Sequence, residues 1–321
     1  MMNRFSFDKL IGLALISGLF LACRNKPENS SLPYDYEAAA ATFTADESFF
    51  PILDEELSVF NALHTERELQ ANYTNEEEAI AKLMKNEVWL AFSTRRLSER
   101  ETQNLKDRQF MPRVMPIAYD GLAIIVNNAN PDTCITIKDF ARVLKGEVSK
   151  WSELYPQSKL GEIDVVFDNP LSSTVRWCVD SILGGQQFSA KNIGAVQTSA
   201  AVIDYVEKHE NSLGIIGSNW LNDKRDTTNV TFKKNISVMG VSKMDSARSF
   251  NSWKPYQYYL YNGNYPLRRT IYALLNDTRN GVPSSFCHFV QLPKGQKIIL
   301  RYGLLPRSAN MNVRDVIVKK Q

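Results

Sequence analysis

Histidine, cysteine and net charge are all scarce in this sequence. It has three histidines, four cysteines and a formal net charge of +3 over 321 residues. So small a positive excess argues against nucleic acid as a partner, because a nucleic-acid site needs a concentrated basic stripe. The spacing of histidine and cysteine matches no metal site, and the chain has no Gly-x-Ser-x-Gly elbow and no P-loop. We therefore expect no metal, no cofactor and no catalysis, with an exported hydrolase of scattered acid and base as a minor alternative.

Long apolar runs are also missing, with one exception near the start of the chain. Leu10 to Ala22 is apolar, follows a weakly basic start, and ends directly before Cys23. A permanent membrane helix needs about 20 apolar residues, so this shorter run predicts a signal peptide over 1–22. The ending resembles a bacterial lipobox, which implies lipidation of Cys23; the alternative is a plain secretory signal with an incidental cysteine. Residues 23–38 are polar and rich in Pro, Ser and Asn, which indicates a tether.

Three further cysteines, Cys134, Cys178 and Cys287, follow the expected lipid site. An odd number in an oxidising compartment leaves at least one thiol unpaired. Packing in the core is favoured over a disulfide for most of them.

Strand and helix patterns alternate through the rest of the chain, which predicts an α/β protein. A first helix is expected over 48–63, and the motifs at Thr74 and Ser98 are typical of capping boxes. Residues 114–117 and 122–126 are expected to form a strand pair broken at Asp120-Gly121. Later helices are expected to begin near Leu267, Pro283 and Pro293.

Three turns share one design, in which a strand ends, hydroxyl residues follow, and a helix begins. They are Asp46-Glu47-Ser48-Phe49, Ser93-Thr94-Arg95-Arg96 and Ser172-Ser173-Thr174. Unpaired backbone N–H groups at a helix start bind anions, and open α/β sheets place their ligands at the carboxyl ends of strands. Each turn alone is more often an ordinary helix cap, but the three together favour an anion site.

Several motifs, in their order and spacing, resemble the PstS-type phosphate-binding proteins of the periplasmic binding superfamily. The strongest is Tyr119-Asp120-Gly121-Leu122-Ala123-Ile124-Ile125-Val126-Asn127, followed by Leu144-Lys145-Gly146 and Trp151. Gly214-Ile215-Ile216-Gly217, Tyr265-Pro266-Leu267-Arg268-Arg269 and Gly295-Gln296-Lys297 resemble later elements of the family. The resemblance runs from about residue 43 to residue 316.

The resemblance implies a two-lobed type II periplasmic binding protein fold with a hinge between the lobes. Lobe 1 would hold 39–116 with 242–321, and lobe 2 would hold 117–241. The family's function implies capture of inorganic phosphate for the permease of an ABC importer, by an exported cell-envelope lipoprotein that faces the periplasm. The implied ligand residues are Ser48, the Phe49 backbone, Thr94, Arg95, Ser172, Ser173 and Thr174.

The departures from the family pattern concern charge. Asp168 stands where well-studied members have an arginine, an aspartate near Thr94 is missing, and Ser173 replaces a glycine. We expect an exchange of roles, in which Arg95 supplies the positive charge and Asp168 accepts the proton of monohydrogen phosphate. In the alternative, Asp168 only caps its turn and the chain is an anchored interaction or signalling protein with a degraded site. Another alternative changes only the ligand, to sulfate, molybdate or an organic phosphate.

Overall fold

The computed structural model describes residues 36–66, 68–222 and 232–308. The predicted signal peptide over 1–22 and the predicted lipidation site Cys23 lie outside these residues. The first described helix begins at Tyr36, inside the stretch predicted as a tether. In the described ranges, no helix is both long enough and apolar enough to cross a membrane.

The strands follow the predicted α/β alternation. In chain order they are β1 Thr42–Asp46, β2 Gln70–Thr74, β3 Leu90–Ser93, β4 Arg113–Asn127, β5 Cys134–Thr136, β6 Asp164–Phe167, β7 Ile193–Ala195, β8 Ser212–Gly217, β9 Ile236–Val238, β10 Gly240–Ser242, β11 Arg268–Leu275 and β12 Leu305–Pro306.

The helices lie between these strands, and short 3₁₀ turns at Glu47–Phe49 and Ser218–Trp220 extend two strand ends. They are α1 Tyr36–Ala40, α2 Phe50–Leu63, α3 Glu76–Met84, α4 Glu99–Asp107, α5 Ile137–Leu144, α6 Trp151–Leu154, α7 Ser173–Trp177 with a π-helical continuation Cys178–Ile182, α8 Ser199–Lys208, α9 Gln257–Tyr261, α10 Val282–Gln291 and α11 Pro293–Arg301.

One hydrogen-bonded sheet runs in the order β2-β1-β3-β11-β4-β8-β6-β7. β1 is parallel to β2 and β3, and β6 is parallel to β7 and β8. Parallel neighbours need crossover connections, which the helices provide. The two parallel groups are joined by the antiparallel strands β11 and β4. The three hydroxyl-rich turns therefore follow β1 and β3 in one group and β6 in the other.

β4 is one continuous strand, and the predicted break at Asp120-Gly121 is wrong. Asp120 stays in the strand because its carboxylate is used in a buried ion pair with Arg269 rather than in a turn. Gly121 marks close packing: a Cβ at this position would lie 2.7 Å from the Pro255 Cβ. The strand thus crosses from one parallel group to the other without interruption.

β11 is the second crossing element, where the sequence predicted a helix to begin near Leu267. It pairs with β4 along its length and with β3 from Tyr272 to Leu275, and its side chains alternate between buried and more exposed up to Tyr272. The β-branched pair Thr270-Ile271 favours a strand. The helices expected near Pro283 and Pro293 are confirmed as α10 and α11.

Two lobes with separate cores surround the crossing strands. The first core contains Phe43, Phe92 and Phe286, and the second contains Phe140, Trp151 and Phe167. Leu260, Tyr265 and Leu267 also pack into the second core. This packing differs from the expected return to lobe 1 at residue 242, because the chain stays with lobe 2 until it enters β11. We therefore propose the second crossing at about residue 268.

Local capping follows the sequence closely. Ser98 and Glu101 form the predicted capping box of α4. Asn75 rather than Thr74 caps α3, and its side chain accepts the backbone N–H of Glu78. Cys134, Cys178 and Cys287, the cysteines that the structure describes, are free thiols, and the last two are buried.

Candidate functional site

The turn after β1 brings a buried carboxylate to the boundary between the lobes. Asp46 Oδ1 accepts the backbone N–H of Ser48 at 2.9 Å within its own turn. Its Oδ2 accepts the backbone N–H of Ser173, from the other lobe, at 2.8 Å. Burial, followed by the carboxylates of Asp168 and Glu76, raises the pKa of Asp46 to about 6. One carboxylate therefore links the first and third hydroxyl-rich turns.

Arg269 joins the hydroxyls of the same two turns. Its Nη1 donates to Ser173 Oγ at 2.9 Å, and its Nη2 donates to Ser48 Oγ at 3.3 Å. The two hydroxyl oxygens are 3.2 Å apart. Phe49 lies beneath the guanidinium, with its ring centre 5.3 Å from Arg269 Cζ. The predicted residues Ser48 and Ser173 thus meet around a guanidinium that the sequence interpretation did not select.

Asp120 holds Arg269 in place from the crossing strand β4. Arg269 Nε and Nη2 lie 2.8 and 2.7 Å from Asp120 Oδ2, and both side chains are fully buried. Asp120 Oδ1 also accepts the backbone N–H and the hydroxyl of Ser218. Because the carboxylate fixes two of the guanidinium nitrogens, the remaining donor edge of Arg269 points to the two serines.

Asp168 binds the hydroxyls of its own turn. Its Oδ1 accepts hydrogen bonds from Ser172 Oγ, at 2.7 Å, and from Thr174 Oγ1. Its Oδ2 is buried, and within the part of the chain that the structure describes no group donates to it. Burial raises the pKa of Asp168, and the hydroxyls of Thr174 and Ser172 oppose the rise. Asp168 therefore holds one occupied and one unused acceptor.

The second predicted turn surrounds Glu76, at the start of α3. Ser93 Oγ donates to Glu76 Oε1 at 2.7 Å, and the Thr94 backbone N–H donates to the same oxygen at 2.7 Å. Arg176, from the other lobe, pairs with Glu76 and donates to Thr94 Oγ1 at 2.6 Å. Burial alone would raise the pKa of Glu76, but the hydrogen bond and charge of Arg176 bring it below its usual value.

Arg95, the residue expected to supply the positive charge of the anion site, is held by a carboxylate on α4. Its guanidinium donates to both carboxylate oxygens of Glu101 at 2.7 Å, at the start of α4. This pair, with burial opposing it, lowers the pKa of Glu101 to about 2. Arg95 is therefore paired with Glu101, whereas Asp168 binds the hydroxyls of its own turn.

Further polar contacts close the boundary between the lobes. Glu47 accepts the backbone N–H and the hydroxyl of Ser199, at the start of α8. The Ser48 carbonyl accepts from Asn219 Nδ2 at 2.9 Å and from Trp220 Nε1 at 3.0 Å. Hydroxyls, backbone N–H groups and a fixed guanidinium are the donors that stabilise an oxyanion. The boundary between the lobes therefore contains the kinds of donor that an anion site requires, together with several buried carboxylates.

Sequence reasoning missed Arg269, Arg176, Glu76 and the role of Asp46. Arg269 belongs to the motif Tyr265 to Arg269, which the sequence analysis identified. A helix was expected to begin near Leu267, and a helix would not have placed the Arg269 side chain beside Asp120. Asp46 preceded the first predicted ligand by two residues and was interpreted only as part of a turn. A strand assignment for β11 would have placed Arg269 beside Asp120, since the two residues are register partners.

Comparison with known proteins places this chain in a family. A family model described as a PBP superfamily domain matches residues 35–292. The phosphate-binding protein PstS of Borreliella burgdorferi is 23% identical over 265 residues, covering 79% of this chain and 85% of that protein. PstS of Pseudomonas aeruginosa strain PAO1 is 21% identical over 233 residues, covering 68% of each.

A solved structure agrees with this placement. The crystal structure of an ABC-type phosphate transport receptor from Vibrio cholerae superposes with a TM-score of 0.62 at 22% identity, covering 83% of this chain and 99% of that one. The predicted two-lobed type II fold and the resemblance to PstS-type proteins are thereby confirmed. The chain belongs to the PBP superfamily domain family.

Proposed function

We propose that this protein captures phosphate and delivers it to the permease of an ABC importer. The names of its relatives, which are phosphate-binding proteins and a phosphate transport receptor, support this ligand. The protein binds its solute without chemical conversion.

The observation that carries the proposal is the meeting of Ser48, Ser173 and Arg269. The two hydroxyls come from opposite lobes, and a single buried guanidinium donates to both of them. A charge-assisted donor beside two hydroxyls suits a tetrahedral oxyanion, which offers acceptors in several directions. Phe49, Thr94, Ser172 and Thr174 complete the proposed site, and Arg269 supplies the positive charge that was expected from Arg95.

Asp168 is the proposed determinant of selectivity. Its buried Oδ2 accepts the proton of monohydrogen phosphate, which explains why a carboxylate belongs in an anion site. Sulfate carries no proton at neutral pH and would face that oxygen unpaired, at a free-energy cost.

Lipidation of Cys23 would hold the protein at the cell envelope, on the periplasmic side. The apolar run that ends at Ala22 supports this proposal. The variant Cys23→Ser should move the protein from the membrane fraction to the soluble fraction, and unchanged membrane association would refute lipidation.

Calorimetric titration of the purified protein with phosphate, sulfate and molybdate tests the ligand. We expect saturable binding of phosphate and no competition from sulfate. Ser173→Ala should weaken phosphate binding by about 0.5–1.5 kcal/mol, the net worth of a hydrogen bond. Ser212→Ala is the matched control. Its buried hydroxyl donates to the His209 carbonyl at the start of β8, whereas the proposed site lies beside Gly217 at the end of that strand.

The other outcomes separate the alternatives. Tighter binding of sulfate or molybdate would change the ligand but keep the function. Binding of none of the three would favour an anchored interaction or signalling protein.

A further inference from the structure

The Asp46 carboxylate lies where an anion would lie. It is fully buried, and each of its oxygens accepts a backbone N–H, one from Ser48 and one from Ser173. These are the same two residues whose hydroxyls receive the guanidinium of Arg269. The side chain therefore occupies donors from both lobes at the centre of the proposed site.

A backbone N–H points in one direction and serves one strong acceptor. An oxyanion held by the hydroxyls of Ser48 and Ser173 would compete with Asp46 for the adjacent N–H groups. The two negative charges would also repel each other at short range in a buried site. The carboxylate and the ligand cannot both keep these contacts.

The surroundings of Asp46 make its carboxylate displaceable. The acidic groups that face it are Glu47 on its own turn, Glu76 on α3 and Asp168 before α7. Arg269, which donates to the hydroxyls of Ser48 and Ser173, is already paired with Asp120. Burial and these like charges raise the pKa of Asp46 to about 6, so the ionised form is held less firmly than its two hydrogen bonds alone would suggest.

We propose that Asp46 is a built-in competitor of phosphate, which links the two lobes through Ser48 and Ser173 until the ligand displaces it. The proposal rests on the proposed function, because it concerns regulation of the same site. A competing internal contact multiplies the apparent affinity by the fraction of molecules in which the donors are free. The carboxylate thus sets the phosphate concentration at which the protein loads.

The test compares full-length wild type with Asp46→Asn by phosphate calorimetry. Removing the competing charge should tighten phosphate binding by about tenfold or more. Amide hydrogen exchange without phosphate gives a second reading: the Ser173 N–H should exchange faster in Asp46→Asn, because it has lost its charged acceptor. Asp46→Ser serves the same two measurements if the asparagine variant does not fold.

Glu47→Gln is the matched control. Glu47 also accepts a backbone N–H from the other lobe, that of Ser199, but it makes no contact with Ser48, Ser173 or Arg269 among the hydrogen bonds of the described residues. The Glu47→Gln variant should loosen the contact between the lobes, and it should bind phosphate no more tightly than wild type does.

Weaker or unchanged phosphate binding in Asp46→Asn would overturn the proposal, since a true ligand residue or a bystander gives that result. If phosphate binds to no variant, the proposed function fails. The exchange rate of the Ser173 amide then decides by itself whether Asp46 links the lobes.

Discussion

Glu56 is a buried acid in the core of the first lobe. It lies in α2, lines a cavity of about 10 Å³ beside Ile117 and Ile271, and is fully inaccessible to solvent. Neither of its carboxylate oxygens receives a hydrogen bond from the described residues. Burial, with a smaller effect from Glu55, raises its pKa to about 9. The carboxyl is therefore neutral in the folded protein at physiological pH.

This neutral carboxyl makes stability depend on pH. On unfolding, the group returns to an ordinary pKa near 4.5 and releases its proton. The contribution of this carboxyl to the free energy of unfolding is complete below that value. It is lost as pH rises towards 9, by about 1.4 kcal/mol per pH unit. Glu56→Gln should remove this slope, so urea unfolding at pH 6 and pH 8 should differ less than in wild type by about 2–3 kcal/mol. Glu55→Gln, exposed on the same helix, is the control, and an unchanged slope in Glu56→Gln would contradict the assignment.

Arg269 and Arg95 compete for the role of the positive charge in the anion site. Arg269→Lys keeps a cation beside Asp120 but loses the fork that reaches both serines. We expect phosphate binding to weaken by about 1.5–3 kcal/mol, the worth of a hydrogen bond to a charged group. Arg95→Ala should leave the affinity nearly unchanged, because its guanidinium is used by Glu101. Calorimetry on both variants decides, and the opposite result would restore the interpretation drawn from sequence.

At the scale of elements, the sequence predicted what local chemistry determines. The capping box at Ser98 and the helix starts at Pro283 and Pro293 depend on residues within one turn of each other, so they were predicted correctly. The continuity of β4 and the strand β11 were not predicted, because both depend on residues that are distant in the sequence. Asp120-Gly121 has the letters of a turn, yet Asp120 pairs with Arg269, which lies 149 residues away in the sequence.

Glycine in β8 shows the same dependence on distant partners. A Cβ on Gly217 would lie 2.9 Å from Arg269 Nη2 and 3.1 Å from Asp120 Oδ2. The sequence identified this glycine through a family motif, but the motif did not say what approaches it. The structure does: the buried ion pair of the two crossing strands needs the space.

The sequence identified the hydroxyls that meet at the boundary between the lobes, but not the charged groups that join them. Ser48 and Ser173 follow strands, and strand ends in neighbouring parallel groups converge, so their meeting follows from topology. Which guanidinium joins them depends on tertiary distances that one sequence does not contain. Arg269 from β11 and Arg176 from α7 reach the turns across the boundary between the lobes.

At the scale of the whole molecule, the lobes are linked by ion pairs as well as by two strands. Arg176 of the second lobe pairs with Glu76 of the first, whose side chain is almost completely buried. Breaking a buried pair on one side leaves an uncompensated charge, which costs about 3–5 kcal/mol. Separation of the lobes about the hinge lets water solvate that charge. We therefore expect the loss of one partner to open the protein.

Arg176→Ala should therefore enlarge the radius of gyration without phosphate, measured by small-angle scattering. The double variant Arg176→Ala with Glu76→Gln should be more compact than the single one, because no buried unpaired charge remains: Asp180, the other partner of Arg176, is exposed to solvent. Arg142→Ala is the matched control: it removes the same charge from a pair with Asp139 inside α5, on the surface of a single lobe. Saturating phosphate should reduce the radius of gyration in wild type, because the ligand supplies new contacts to both lobes. The decrease should be larger in Arg176→Ala, which starts from a larger radius. Equal radii for all variants, with and without phosphate, would mean that the two lobes behave as one rigid body.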